Sequence, residues 1–350
     1  MSLTATNCRN IRKFRVRNLG TIEEGARNAI RTCMGLQSGE RLLIVTDNSQ
    51  LEVGLALKRT AEEYTPANSV KLVVLEEIAQ RPLSHLPKLI EEEIARSSVT
   101  LWCATSLPGE LIARRRFINL AKRFARHGHM PNITLALMQS GMCANYDQVY
   151  DLTHKVFGIV SKAATIKITN PLGVDVTAEF EKSWHWIPCD GRYLKKGNWG
   201  NLPEGETFAA PKNVHGRIIT NLLGDWFSEK YGNFKDSLEF EVRDSKIDLD
   251  SMKCGNRGLL SEVSRYLMTD ENSDRASKFA LPSNPLLISS PTIGNLLQDE
   301  KARPHIAFGD PYSDETGAPW SSTTHVDVLM ENCDVFVDEK AIMLAGRYIF

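Results

Sequence analysis

Arg41-Leu42-Leu43-Ile44-Val45-Thr46-Asp47 decides the fold of the first half of the chain. The run is short and nearly continuous in apolar residues, the pattern of a strand buried on both faces of a parallel sheet. Asp47 or Asn48 then stands where it can cap a helix from about residue 50 to residue 64. Upstream, Ile22, Ala26, Ala29, Ile30 and Cys33 share one stripe of a helix over 21–34, which Gly35 and Gly39 end. Downstream the spacing predicts a strand at 70–75, a helix at 86–95, a strand at 99–103, a long helix at 106–127 and a fourth strand at 132–137. Strands alternating with helices imply an α/β domain with a mostly parallel, doubly wound sheet. No Gly-x-Gly-x-x-Gly follows the first strand and no Walker A pattern occurs, so no nucleotide is indicated.

After a helix at 147–163 the texture changes. Thr165 to Asn170 alternates, Pro171-Leu172-Gly173 turns, and Val174 to Phe180 alternates again, as an antiparallel hairpin does. Short strands follow at 184–193, 197–205, 238–242, 246–249 and 334–338, with a helix expected from Glu262 to about Ala276. The expected division is residues 1–163 as the α/β domain and residues 164–350 as a strand-rich α+β domain, which suits a chain of 350 residues.

A net charge of -1 gives no global pointer to nucleic acid or an anionic membrane. Arg114-Arg115-Arg116, Lys122, Arg123 and Arg126 form a basic run at helical spacing, read as a solvated or partner-facing helix face. Seven scattered cysteines without a Cys-x-x-Cys pair argue against a disulfide framework or a thiolate zinc knuckle and fit a reducing cytoplasm. Met1 to Arg17 lacks the apolar core of a signal peptide, and no run approaches the length of a membrane span.

Chemistry-bearing residues concentrate near the end, in His305-Ile306-Ala307-Phe308-Gly309-Asp310-Pro311-Tyr312 and Thr324-His325-Val326-Asp327. On a strand, His325 and Asp327 project from one face, so an imidazole and a carboxylate stand together as part of a metal site or an acid/base pair. Taken alone, a His-x-Asp pair is more often a chance polar face. Weaker candidates are Cys189 as a nucleophile with His185, and His215 as a supporting donor. Trp184, Trp186 and Trp199 read as hairpin packing, and His127 and His129 as the two sides of a helix end at Gly128.

Three further segments carry a resemblance: Gln139-Ser140-Gly141-Met142-Cys143, Asn170 to Thr177, and Asn201-Leu202-Pro203-Glu204-Gly205-Glu206 continuing to Pro211. With Asn284-Pro285, Gly294-Asn295 and Asp299-Glu300-Lys301, they resemble the thermophilic metallo-aminopeptidase family of the leucyl aminopeptidase or aminopeptidase T type, in order and spacing over the last two hundred or so residues. The resemblance implies an α/β domain followed by a strand-rich domain that carries divalent metal. It implies metal-ligand roles for Glu206, His305, Tyr312, His325 and Asp327, with zinc, cobalt, manganese or iron as one or two ions. The family precedent also implies a homodimer. The pattern departs from the family at Lys278, where a second glutamate ligand is expected. An ammonium cannot ligate a cation. Lys278 therefore enters as a charge, as a catalyst or as a surface residue outside the site, unless Glu262 or Glu271 takes the ligand role.

The function these residues imply is a metal-dependent hydrolase, in which a metal-activated water attacks an amide of a small peptide or amino-acid-like molecule, with Lys278 and Tyr312 as catalytic candidates. The 2,5-dihydroxypyridine dioxygenases of the same superfamily are similar around Thr324-His325-Val326-Asp327, so a mononuclear iron enzyme acting on a small aromatic molecule is the alternative. Those enzymes carry a histidine at the position of Lys278 and lack counterparts of Glu206 and His305. A metal-free binding protein is the third reading.

Overall fold

The computed structural model describes residues 20–350 apart from Asp225. The reading of Met1 to Arg17 lies outside the described residues.

Five parallel strands form the first sheet, in the spatial order Val70–Val74, Leu42–Thr46, Val99–Trp102, Arg126–His129 and Trp199–Asn201. Leu42–Thr46 is buried at every position, as a central strand covered by helices on both faces must be. Asp47 Oδ1 accepts the Gln50 N–H at 2.9 Å and so caps the turn into the Leu51–Glu62 helix.

The fourth strand departs from expectation. The helix is Leu111–Phe124, and the next residues, Arg126–His129, are the strand; 132–137 is not one. Helical spacing in the basic run is overridden by tertiary contacts. The Arg126 guanidinium reaches the Met34 and Gly35 carbonyls at 2.5 and 3.0 Å and pairs with Glu40. At Gly128 a Cβ would come within 2.7 Å of Leu101, so only glycine lets this strand lie so close to its neighbour. His127 and His129 are therefore core strand residues rather than a helix cap. Leu135–Gln139 is a short helix, and its N-cap Thr134 accepts the Leu137 N–H at 3.2 Å. A six-residue apolar run fits either element, and the cap decides.

The second half holds two antiparallel sheets. The larger has eight strands, ordered Lys246–Ile247, Leu238–Arg243, Asn213–Thr220, Asp175–Glu179, Thr165–Thr169, Asp334–Val337, Lys340–Leu344 and Arg347–Tyr348. The smaller has five, ordered His325–Leu329, His305–Gly309, Ala276–Pro282, Glu206–Ala209 and Ile187–Cys189. One core joins them: Ile166, Ile168, Val176 and Phe240 of the larger meet Phe279, Leu281, Ile306, Phe308, Val326 and Val328 of the smaller. The chain is thus an α/β sheet followed by a strand-rich region, and it crosses between them once more when Trp199–Asn201 returns to the parallel sheet.

The helix expected up to residue 276 is shorter. It is Arg257–Tyr266, capped by Asn256, and Ala276 already begins a fully buried strand. Between them Asp270 accepts the Thr323 and Asn272 N–H groups at 2.7 and 3.0 Å, fixing a turn where the pattern looked helical. Six cysteines are free among the described residues, and no helix there is long and apolar enough to cross a membrane.

Candidate metal centre

Period-two alternation on the five-stranded sheet builds the site. Phe279, Leu281, Ile306, Phe308, Val326 and Val328 point into the sandwich core, so Lys278, His305, His325 and Asp327 must share the opposite face. Register completes the grouping. Ala307 pairs with both Lys278 and Asp327, and Ala280 pairs with both His305 and Phe208. The two alanines keep the middle of this face low enough for the surrounding side chains to lean over it.

Glu206 enters from the neighbouring strand through Gly205. That glycine has φ +136°, and a Cβ on it would lie 2.7 Å from the Asn284 backbone nitrogen. Only glycine fits. Ser283 N–H donates to Gly205 O at 2.7 Å and Asn284 Nδ2 to Glu204 O at 2.9 Å, so the chain carrying both glutamates is fixed by backbone.

The resulting cluster is buried and densely charged. Lys278 Nζ lies 3.1 Å from Glu206 Oε1 and 3.6 Å from Asp327 Oδ1. Lys301 Nζ lies 2.8 Å from Glu204 Oε1, 2.8 Å from Glu206 Oε1 and 3.0 Å from Glu300 Oε1. Lys301 Nζ lacks a well-aligned hydrogen bond, so these short contacts are ion pairs in the Coulombic sense. Glu204, Glu206, Glu300, Asp327, Lys278, Lys301 and His305 are all buried. Burial opposes ionisation of Glu206, but Lys278 and Lys301 outweigh it and hold this carboxyl well below the usual range. Asp327 is likewise lowered, with burial overcome by Lys278 and His325. Burial lowers the affinity of Lys278 for its proton, yet Glu206 and Asp327 raise it further, so the residue stays an ammonium. Glu204 moves the other way: burial, with Glu206 beside it, overrides Lys301 and pushes it up to about 7, although Tyr193 and the Gly205 N–H both donate to it.

The histidines are oriented by backbone carbonyls. His305 Nδ1 lies 3.1 Å from Arg303 O, and His325 Nδ1 lies 2.8 Å from Asp310 O. Each carbonyl can only accept, so Nδ1 carries a hydrogen in both rings and Nε2 is the nitrogen turned to the cluster. His305 Nε2 then faces Glu206 Oε2 at 3.3 Å and Asp327 Oδ1 at 3.5 Å. These three atoms have no hydrogen-bond partner. Two buried carboxylate oxygens facing one imidazole nitrogen call for a positive charge between them, a proton or a metal ion. Glu206, Glu300 and His305 also offer ligand atoms within 4.8 Å of one another. The donor set, carboxylate and imidazole, suits a divalent transition metal. His325 Nε2 is 3.6 Å from Asp327 Oδ2; burial lowers its pKa, the Asp327 charge raises it, and the charge prevails.

The cluster forms one end of a cavity of about 520 Å³. Tyr312 and Phe208 line it, with ring centroids 6.0 Å apart, and the Tyr312 ring lies tilted 4.9 Å from the His325 ring. Burial raises the Tyr312 pKa, so the phenol is protonated. The opposite wall belongs to the parallel sheet: Arg114, Arg115 and Lys122 from the Leu111–Phe124 helix, and His129 from the carboxyl end of its strand. That is where open α/β sheets hold ligands.

Glu206, Lys278, His305, Tyr312, His325 and Asp327 therefore meet at one place. Glu262 and Glu271 do not replace Lys278: Glu262 pairs with Lys230 and Tyr231 on the surface, and the Glu271 carbonyl holds Lys246. Cys189 lines the cavity, but burial with Glu204 and Glu206 nearby raises its thiol far from the reactive range, while His185 is engaged with Glu315 O. His215 lies exposed on the larger sheet. Glu204, Glu300 and Lys301 are site residues that sequence reading left without a role, and the cavity-facing part of the basic helix was taken for solvated surface.

The sequence profile of the thermophilic metalloprotease (M29) family matches residues 76–340. The chain belongs to this family. Its members are metal-dependent peptidases, so the carboxylate and imidazole cluster lies in an enzyme that uses a divalent metal. No curated protein matches the chain in sequence. Among solved structures it is similar to wild-type AmpT from Thermus thermophilus, at 16% identity and TM-score 0.70, covering 94% of this chain and 99% of that one. It is also similar to a 2,5-dihydroxypyridine dioxygenase from Pseudomonas putida KT2440, at 12% identity and TM-score 0.68, covering 93% and 96%. At these identities the two neighbours establish the shared fold of this M29 protein.

Proposed function

We propose that this M29 protein hydrolyses an amide of a short peptide or amino-acid-like molecule with a metal-activated water. The observation that carries the reading is that Glu206 Oε2 and Asp327 Oδ1 both face His305 Nε2, all three buried and without hydrogen-bond partners among the described residues, at the end of a cavity. A divalent ion held by these residues would polarise a carbonyl and lower the pKa of a bound water. Around it the chain supplies the rest. The protonated Tyr312 phenol is a hydrogen-bond donor facing the cavity, and the Lys278 ammonium is a fixed positive charge beside the reacting atoms. Arg114 and Arg115 line the cavity, while Lys122 is paired with Glu315 at 2.9 Å; the two guanidinium groups favour substrates with a free carboxylate, such as the C-terminus of a short peptide. A cavity of about 520 Å³ suits a molecule of that size.

A second reading has its own observation: His305, His325 and Asp327 converge, and two histidines with one carboxylate also suit a mononuclear iron centre. The burial of Glu206 within the same cluster favours the hydrolase. The test is a panel of di- and tripeptides, with N-acetylated controls, incubated with metal-loaded protein and followed by mass spectrometry. Release of the N-terminal residue is expected. No cleavage with zinc, cobalt, manganese or iron, together with oxygen uptake on dihydroxylated aromatics by the iron form, would replace this reading with the second.

A further inference from the structure

Two observations on the cluster point to a cation. The first is the balance of groups. Among the described residues, Glu204, Glu206, Glu300 and Asp327 are buried carboxyl groups, and Lys278 and Lys301 are the buried amines that face them. Four acidic groups against two basic ones in a buried site favour a further cation. The second is the set of unpartnered atoms. Glu206 Oε1 already faces both ammonium groups, and Glu300 Oε1 faces Lys301 and receives Asn201 Nδ2 at 3.2 Å. Among the described residues, the side-chain acceptors left without partners in the cluster are His305 Nε2 and, facing it from two other strands, Glu206 Oε2 and Asp327 Oδ1. The excess of acidic groups calls for a cation, and the unpartnered atoms on either side of His305 Nε2 offer a place for one ion.

Lys278 is the residue that bears on both. Its Nζ stands between Glu206 Oε1 and Asp327 Oδ1, bridging two carboxylates from separate strands as a second cation would. A divalent ion in that position would have to displace an ammonium held by two buried carboxylates and by the face of the Phe208 ring, 5.2 Å from Nζ.

We propose that Lys278 restricts this M29 site to a single divalent ion, its ammonium standing where a second metal would bridge Glu206 and Asp327. The inference rests on the metal-dependent reading above but makes a separate claim, about number. The active centre is then an ion and an ammonium side by side, one exchangeable and one covalently fixed. The reaction class that follows is one needing a single Lewis acid with a neighbouring cation.

Metal content decides it. The full chain is purified without chelator, saturated with zinc or with manganese, freed of excess by gel filtration and measured by mass spectrometry against protein concentration. One equivalent per chain is expected, falling to none in His305→Ala. Two equivalents in the wild type would overturn the inference while leaving the metalloenzyme reading in place; none with either metal would overturn both. Lys278→Glu exchanges the ammonium for a carboxylate and should raise the count from one to two. A folded Lys278→Glu protein, judged by circular dichroism, that still binds one equivalent would show that Lys278 does not set the number. If that variant does not fold, the wild-type count alone stands as the test.

Discussion

Lys278 and Asp327 lie on either side of Ala307 in one row of an antiparallel sheet, and their charged tips come within 3.6 Å over its methyl group. A larger residue at 307 would part them. The contact exists because three strands are held in a register that puts lysine, alanine and aspartate abreast, and Glu206, further along the sheet opposite Pro282, reaches to 3.1 Å from the same ammonium. The ammonium thereby becomes part of the fold as well as of the site.

Lys278→Met should therefore destabilise the metal-free protein by about 3–5 kcal/mol, the usual cost of leaving buried charges without their partner. Urea denaturation in the presence of chelator measures it. A loss below about 1 kcal/mol would mean that the Lys278 contacts are energetically idle.

Gly205→Ala should be damaging for a steric reason. The left-handed φ of +136° and the 2.7 Å approach to the Asn284 nitrogen both exclude a Cβ. Strain of this kind costs on the order of 1–3 kcal/mol before any clash is relieved. Because Glu204 and Glu206 flank the position, metal affinity should fall with stability. Unchanged affinity in a destabilised variant would argue that Gly205 serves the fold alone.

Arg115→Ala should raise KM for a dipeptide with a free C-terminal carboxylate by roughly 5- to 100-fold, the range of one charge-assisted hydrogen bond. It should leave the corresponding peptide amide almost unaffected, with kcat little changed for both. Equal effects on acid and amide would remove the carboxylate from the role assigned to this wall.

Away from the cluster, His127 gives a pH dependence whose sign is fixed. Burial lowers its pKa to about 3, and it stays neutral, with Nδ1 3.0 Å from Thr100 Oγ1. The unfolded chain, with an ordinary imidazole near pH 6.5, binds the proton more readily than the folded one as pH falls. Stability is thus fully present above about pH 6.5 and is lost as pH drops toward the folded value, by at most about 1.4 kcal/mol per pH unit. Burial, His127 and Arg114 lower His129 in the same direction. Urea midpoints at pH 7 and pH 5 should differ accordingly, and His127→Gln should show a shallower slope. An imidazole resonance of His127 that titrates near pH 6.5 in the folded protein would contradict the assignment.

How much could be read from the chain follows from where its signals are local. Leu42 to Thr46 announces a buried strand because every residue is apolar, and His325 with Asp327 announces a shared face because strands have a period of two. The Arg126–His129 strand was hidden because its decisive contacts are distant: Arg126 with Met34, Gly35 and Glu40, and Gly128 against Leu101. Glu204, Glu300 and Lys301 were hidden for a related reason. In sequence they look like a solvated turn and a charged helix end, and only the folded sheet turns them inward onto Glu206. The family pattern flagged Lys278 as a departure, but its partners depend on register, which no local pattern reports.

The most direct test of the central claim is to locate the ion. A crystal of the wild-type protein equilibrated with manganese or zinc, measured at wavelengths on either side of the metal absorption edge, yields an anomalous map. This account predicts one peak per chain, in contact with Glu206, His305 and Asp327 and beside the Lys278 ammonium. An empty map at that cluster, with the protein fully ordered, would contradict it.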